Sequence, residues 1–220
     1  MKKPLLLLVI LPVLALAGRA GAATFTFSGI GLAVPDGNPS GAVDVQPVSS
    51  DIGSIDSVLV TLTMTGSYNG DLYVTLQHGS GYSVLLNRPG KNGAGGGYDD
   101  DGLDVTFSDG AAADVHTYQS SVTPAPGSPL TGTWRPDGRI TDPDAVTFGD
   151  SRTALLSSFN GIAASGDWTL FVADLNGGDT HTLQAWSITV TGTVIPEPAI
   201  PLLAAAGAAG LLLTFRRRGC

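Results

Sequence analysis

The sequence has one cysteine, and it is the last residue, Cys220. No intramolecular disulfide can form, and no cysteine-based metal centre can be assembled. Glutamate is missing between residues 23 and 193, where all eighteen acidic side chains are aspartate. Aspartate's short carboxylate bonds nearby backbone and favours turns over helix interiors, so these acids belong in loops between strands. Basic side chains are scarce in the same segment. Arg88, Lys91, Arg135, Arg139 and Arg152 are all there are, which leaves a formal charge of −13. Such a surface repels nucleic acid and anionic polymers and attracts cations. No long stretch repeats its apolar residues with the 3.6-residue helical period, which excludes a helix bundle.

The two ends are of a different character. Lys2 and Lys3 precede an apolar run from Pro4 to Ala17, and Ala20-Gly21-Ala22 follows with small residues at alternate positions. This predicts a signal peptide over 1–22, cleaved after Ala22 and directing the rest outside the cytoplasm. The run is shorter than the ~20 residues a membrane span needs. At the other end, 199–215 carries no charged residue, and Arg216, Arg217 and Arg218 follow at once. At ~1.5 Å per residue a helix there reaches the short end of a bilayer core, with the arginines cytoplasmic and the main domain on the outer face.

Between the ends the dominant pattern has period two. Val58, Val60, Leu62 and Met64 alternate with Leu59, Thr61, Thr63 and Thr65. Leu72, Val74 and Leu76 alternate with Tyr73, Thr75 and Gln77; Leu103, Val105 and Phe107, then Trp168, Leu170 and Val172, then Trp186, Ile188 and Val190 repeat the pattern. Thr24–Phe27 and Ser83–Asn87 are shorter candidates, and one helical turn fits Thr153–Phe159. Turn signals separate the runs, among them Tyr68-Asn69-Gly70-Asp71 and Gly79-Ser80-Gly81. Short, regularly spaced strands predict an all-β antiparallel sandwich rather than a parallel α/β sheet. Residues 110–150, rich in Pro, Gly and Asp, read as long loops.

Pro196-Glu197-Pro198, a Gly/Ala/Leu-rich stretch and a terminal basic cluster together resemble the PEP-CTERM sorting signal. The resemblance implies that a membrane-embedded exosortase recognises the tripeptide and processes the tail, in bacteria that make extracellular polysaccharide or biofilm matrix. It covers residues 194–220.

A second resemblance covers most of 50–193. Gly70-Asp71-Leu72, Leu85-Leu86 and Arg88-Pro89 are followed by Gly166, Trp168, Leu170, Val172, Asp174, Leu183, Trp186 and Gly192. In identity and spacing these resemble the P domain, or Homo B domain, of subtilisin-like proprotein convertases. His78-Gly79 and His181-Thr182 depart from the family pattern in loops, and 128–150 looks longer than usual. The resemblance implies a jelly-roll sandwich over 50–193, preceded by an extension or first strands over 23–49. It also implies a non-catalytic role beside a protease.

Chemistry is sparse in the residues themselves. His78, His116 and His181 fall at strand ends or in polar stretches, and none lies near a nucleophile-elbow or subtilisin-like serine pattern. All three read as surface histidines, and the chain as a non-enzyme. Asp99, Asp100, Asp101 and Asp104 crowd four carboxylates into six residues. They read either as a calcium loop, as the resemblance to calcium-binding bacterial P domains implies, or as a solvated acidic loop. Asp71, Asp174 and Asp179 could complete that site or form a second. Trp168 and Trp186 continue apolar faces and belong in the core, whereas Trp134 reads as a possible exposed contact surface. Three functions follow: an exported surface or matrix module, an accessory of a separately encoded protease, and an adhesin for extracellular polysaccharide.

Overall fold

The computed structural model describes residues 19–195. The 1–22 leader, apart from its last four residues, lies outside them. So do the sorting residues Pro196, Glu197, Pro198, Arg216, Arg217 and Arg218 and the apolar segment 199–215. Among the described residues nine strands occur in chain order: β1 (Arg19–Val34), β2 (Asn38–Val48), β3 (Ile52–Gly66), β4 (Leu72–His78), β5 (Gly81–Asn87), β6 (Leu103–Phe107), β7 (Leu130–Trp134), β8 (Gly166–Asp174) and β9 (His181–Val194). Three short 3-10 turns, Asn69–Asp71, Val115–Ser120 and Leu156–Phe159, interrupt the connections. The strands form a five-stranded sheet in the order β1-β9-β3-β6-β7 and a four-stranded sheet in the order β2-β8-β4-β5.

Alternation in sequence becomes inside and outside in space. Val58, Val60, Leu62 and Met64 of β3 are buried, as are Leu72, Val74 and Leu76 of β4 and Trp168, Leu170 and Val172 of β8. β9 breaks strict alternation. Thr63 pairs with Ala185 but Met64 with Leu183, so Gln184 is an extra residue. That bulge is why Leu183 and Trp186, three positions apart, both face inward. A second bulge, with Val74 opposite Leu86 and Thr75 opposite Val84, makes Leu85 the extra residue of β5.

Both core tryptophans satisfy their indole N–H groups. Trp168 donates to the Ala164 carbonyl at 3.0 Å. Trp186 donates to an Asp44 carboxylate oxygen at 2.6 Å. Asp44 sits on β2, an edge strand, and turns its carboxylate toward the inside while its neighbours Val43 and Val45 face solvent. Pro39 and Pro47 are tolerated in β2 because an edge strand leaves ladder positions unused.

Two sequence expectations are corrected here. Residues 110–150 are not all loop, since Leu130–Trp134 forms β7. Nor is the sandwich wholly antiparallel, because β7 runs parallel to β6, with Leu103 opposite Leu130 and Phe107 opposite Trp134. Only Leu130 and Trp134 face the core along β7, too few apolar positions for a periodicity signal.

Trp168→Ala should cost about 3–5 kcal/mol in urea unfolding, the range for deleting a large core aromatic. A loss below about 1 kcal/mol would show that the ring is not integral to the core.

Candidate functional site

The connections β5–β6, β6–β7 and β7–β8 carry most of the polar chemistry, and they fold over one another. Arg88, directly after β5, adopts a left-handed backbone with φ 50. Its guanidinium donates to the Gly70 carbonyl at 3.2 Å, to Asp71 at 3.1 Å and to Asp144 at 3.0 Å. Burial pushes the Asp71 carboxyl above its ordinary value; Arg88 opposes this and the neighbouring Asp174 reinforces it. Asp174 in turn accepts from His181 Nδ1 at 2.9 Å.

A second cluster centres on Asp137, which is fully buried. It accepts from His116 Nδ1 at 2.7 Å, from Arg139 Nη1 at 3.1 Å and from the Asn87 backbone N–H at 3.2 Å. Arg139 also donates to Asp114 at 2.9 Å. Burial pulls its guanidinium down, but the Asp114 and Asp137 carboxylates outweigh that and hold it above its ordinary value. Burial lowers Arg152, with Asp114 opposing.

The expectation of surface histidines is overturned, because His78, His116 and His181 are all buried. His116 Nε2 donates to the Lys91 carbonyl at 2.9 Å. His78 lies between two backbone carbonyls and is stacked on Trp168. No serine, threonine or cysteine side chain bonds to any of these rings among the described residues.

The acidic cluster is not gathered around a common point. Asp99 is exposed. Asp100 accepts from the Tyr118 hydroxyl at 2.7 Å and Gln119 Nε2 at 2.8 Å, and burial followed by that carboxylate raises the Tyr118 hydroxyl. Asp101 accepts from the Gly127 N–H at 2.8 Å, and Asp104 from the Thr63 hydroxyl at 3.5 Å on the outside of β6. Asp71 and Asp174 have the partners given above, and Asp179 accepts from the Ser67 hydroxyl. Among the described residues no three His, Cys, Asp or Glu side chains are placed to share a metal ion. Trp134 is corrected as well. It is 5% exposed, donates from Nε1 to the Thr131 carbonyl and packs on Tyr118, so it presents no ring face to solvent.

What lies open is the outer face of the four-stranded sheet. Register places Val43, Phe171 and Thr75 in one row and Val45, Thr169, Gln77 and Tyr82 in the next. Tyr73 joins them, its ring 6.4 Å from Phe171 and its hydroxyl 3.2 Å from that of Tyr82. Val43 and Val45 are about half exposed. The alternation of β4 already turned Tyr73 outward, but the sequence offered no signal that β2 and β8 would set Val43, Val45 and Phe171 beside it.

The model of the proprotein convertase P-domain family matches residues 55–190. The chain belongs to that family. The P-domain is a non-catalytic domain of proprotein convertases. Comparison with curated proteins finds no match. Among solved structures, a chain from the complex of Aeromonas sobria serine protease with a chaperone is similar at 16% identity and TM-score 0.45. That similarity covers 80% of this chain and 28% of the other, so the P-domain protein spans under a third of its structural neighbour.

Asp71→Ala should destabilise the P-domain by about 3–5 kcal/mol, because the buried Arg88 loses its one buried carboxylate and keeps only the exposed Asp144 and the Gly70 carbonyl. Adding Arg88→Met should recover part of the loss in the same urea assay. A double variant whose loss equals the sum of the single losses would show that the pair is not coupled.

Proposed function

We propose that this protein is a non-catalytic module, exported to the cell surface or extracellular matrix, that holds a partner protein against the outer face of its four-stranded sheet. The observation that carries the reading is the patch of exposed Val43, Val45 and Tyr82 beside half-buried Tyr73 and Phe171, on a domain whose family is not catalytic. Apolar and aromatic side chains with few charges characterise the centre of protein interfaces. The adhesin reading has lost Trp134, the residue that best supported sugar stacking.

The terminal signals supply the route. In this reading the leader directs export, the apolar segment 199–215 holds the chain in the membrane, and an exosortase acts at Pro196-Glu197-Pro198. A separately encoded subtilisin-like protease is a specific candidate for the partner, since the family accompanies such proteases. The exposed apolar sheet face favours it, being a surface for a folded protein rather than for a polymer.

Two experiments test this. In a host with an exosortase, Glu197→Ala should make the longer, membrane-bound form accumulate on a mass-resolved blot. Equal processing of both chains would overturn the sorting reading. Separately, a photoreactive residue at Val45 should give a discrete protein cross-link in intact cells, and one at Thr63 on the opposite sheet should not. Cross-links from Thr63 alone would place the partner on the wrong face.

A further inference from the structure

Asparagine is followed by glycine at four places in the chain: Asn69-Gly70, Asn92-Gly93, Asn160-Gly161 and Asn176-Gly177. The pair has a chemistry of its own. The glycine backbone nitrogen can attack the asparagine side-chain carbonyl, since no Cβ obstructs the approach. That nitrogen must first give up its proton, so a hydrogen bond that holds the N–H on a carbonyl suppresses the attack. The fold treats the four pairs unequally. Gly70 N donates to the Tyr98 carbonyl, Gly93 N to the Val146 carbonyl and Gly161 N to the Ile55 carbonyl, each at 2.8 Å. Asn69 is fully buried as well. Gly177 N is the one of these four with no acceptor among the described residues. Asn92, Asn160 and Asn176 are all exposed, so access to water does not separate them. The bonding of the glycine nitrogen does.

The residues on either side of Gly177 are held. Leu175 N donates to the Asp71 carbonyl at 2.9 Å, Asn176 N to Asp174 Oδ1 at 3.2 Å and Gly178 N to the Asp36 carboxylate at 3.1 Å. Through Asp36 the β8–β9 connection is clasped to the β1–β2 turn. The two lie so close that a Cβ on Gly37 would come 3.3 Å from Gly177 N. The unbonded nitrogen thus sits in the middle of that clasp.

We propose that Asn176 is a self-modifying site, whose side-chain amide is lost to attack by the Gly177 nitrogen, and that the change opens the clasp between the two turns. The nitrogen, deprotonated by hydroxide, forms a bond to Asn176 Cγ. The Cγ–Nδ2 bond breaks, and the side-chain nitrogen leaves as ammonia. Water then opens the cyclic imide at one of its two carbonyls, giving aspartate or isoaspartate at 176. Either product puts a carboxylate where a neutral amide stood. It lies beside Asp174 and near Asp71, where burial raises the carboxyl and Asn176 is among the groups that oppose the rise. Isoaspartate also routes the main chain through the former side chain and lengthens it by one carbon, which displaces Gly178 from Asp36.

The test incubates the full-length protein in detergent micelles at mildly alkaline pH, then maps chymotryptic peptides by mass spectrometry over time. Asn176 should convert at least several-fold faster than Asn92 or Asn160. In urea, where every glycine nitrogen is released, the three rates should converge. Native conversion of Asn92 or Asn160 at the rate of Asn176 would overturn the proposal, and so would an undiminished preference for Asn176 in urea. Gly177→Ala has room, since the new Cβ would meet only Asp36 Oδ1, at 4.0 Å. It should slow conversion several-fold, and an unslowed variant would show that Gly177 N is not the attacking atom. The converted protein, separated by anion exchange on its added negative charge, reports on the clasp. Its hydrogen exchange across 36–40 should be several-fold faster than in the unconverted protein. Equal exchange would overturn the opening of the clasp even where the amide is lost.

Discussion

A carboxylate with no solvent around it organises the long connections of this sandwich. Asp137 accepts from His116, Arg139 and the Asn87 backbone, and its own carbonyl takes the Arg152 Nε–H at 2.7 Å. Asn87, His116 and Arg152, distant from one another in sequence, thereby converge on the 137–139 stretch. In a chain whose single cysteine cannot pair internally, this cluster does the cross-linking that a small secreted domain often assigns to disulfides. The low dielectric of the interior strengthens each bond and penalises any member left unpaired. The loops over the β5 edge are thus held by electrostatics, whereas the strands beneath them are held by apolar burial.

That division explains what was legible in the sequence. Strands β3, β4, β6, β8 and β9 were visible because burial of one face writes itself as alternation. So were Trp168 and Trp186, which continue those faces. β7 was not, since only its two end residues face inward. The histidines were misread for a related reason. Each is buried through a polar contact with a residue distant in sequence, such as His116 with Asp137 or His181 with Asp174, and no local pattern announces such a partner. The dispersal of the acidic run at 99–104 was equally illegible. Adjacent carboxylates on a turning chain point in different directions, and these were taken up by Tyr118, Gln119, Gly127 and Thr63.

The two outer faces are chemically unlike. On the five-stranded sheet, hydroxyls answer hydroxyls across strands: Thr24 with Thr189, Ser57 with Thr191, Thr61 with Thr106. Threonine and serine there satisfy β-branched or cross-strand preference and leave a face content in water. The four-stranded sheet instead shows valine, tyrosine and phenylalanine at the equivalent positions. All five basic residues of 23–193 meanwhile direct polar atoms into the loop clusters, through Arg88, Arg139 and Arg152 to carboxylates or carbonyls and through Lys91 and Arg135 to carbonyls. The contrast between faces is one of polarity against apolarity, set within a surface that is otherwise anionic.

The pairing of β3 with β9 has a consequence for how the molecule comes into being. Ser57 and Thr191 touch although 134 positions separate them, and β3 occupies the middle of its sheet. Closing so long a loop has an entropic cost that local contacts cannot offset beforehand, and chains dominated by such pairings fold slowly. The central strand cannot complete its ladder until nearly the last residues of the domain are available. A chain threaded through a membrane from its N-terminus would therefore cross in an unclosed state, and its core would seal only once β9 arrived on the far side.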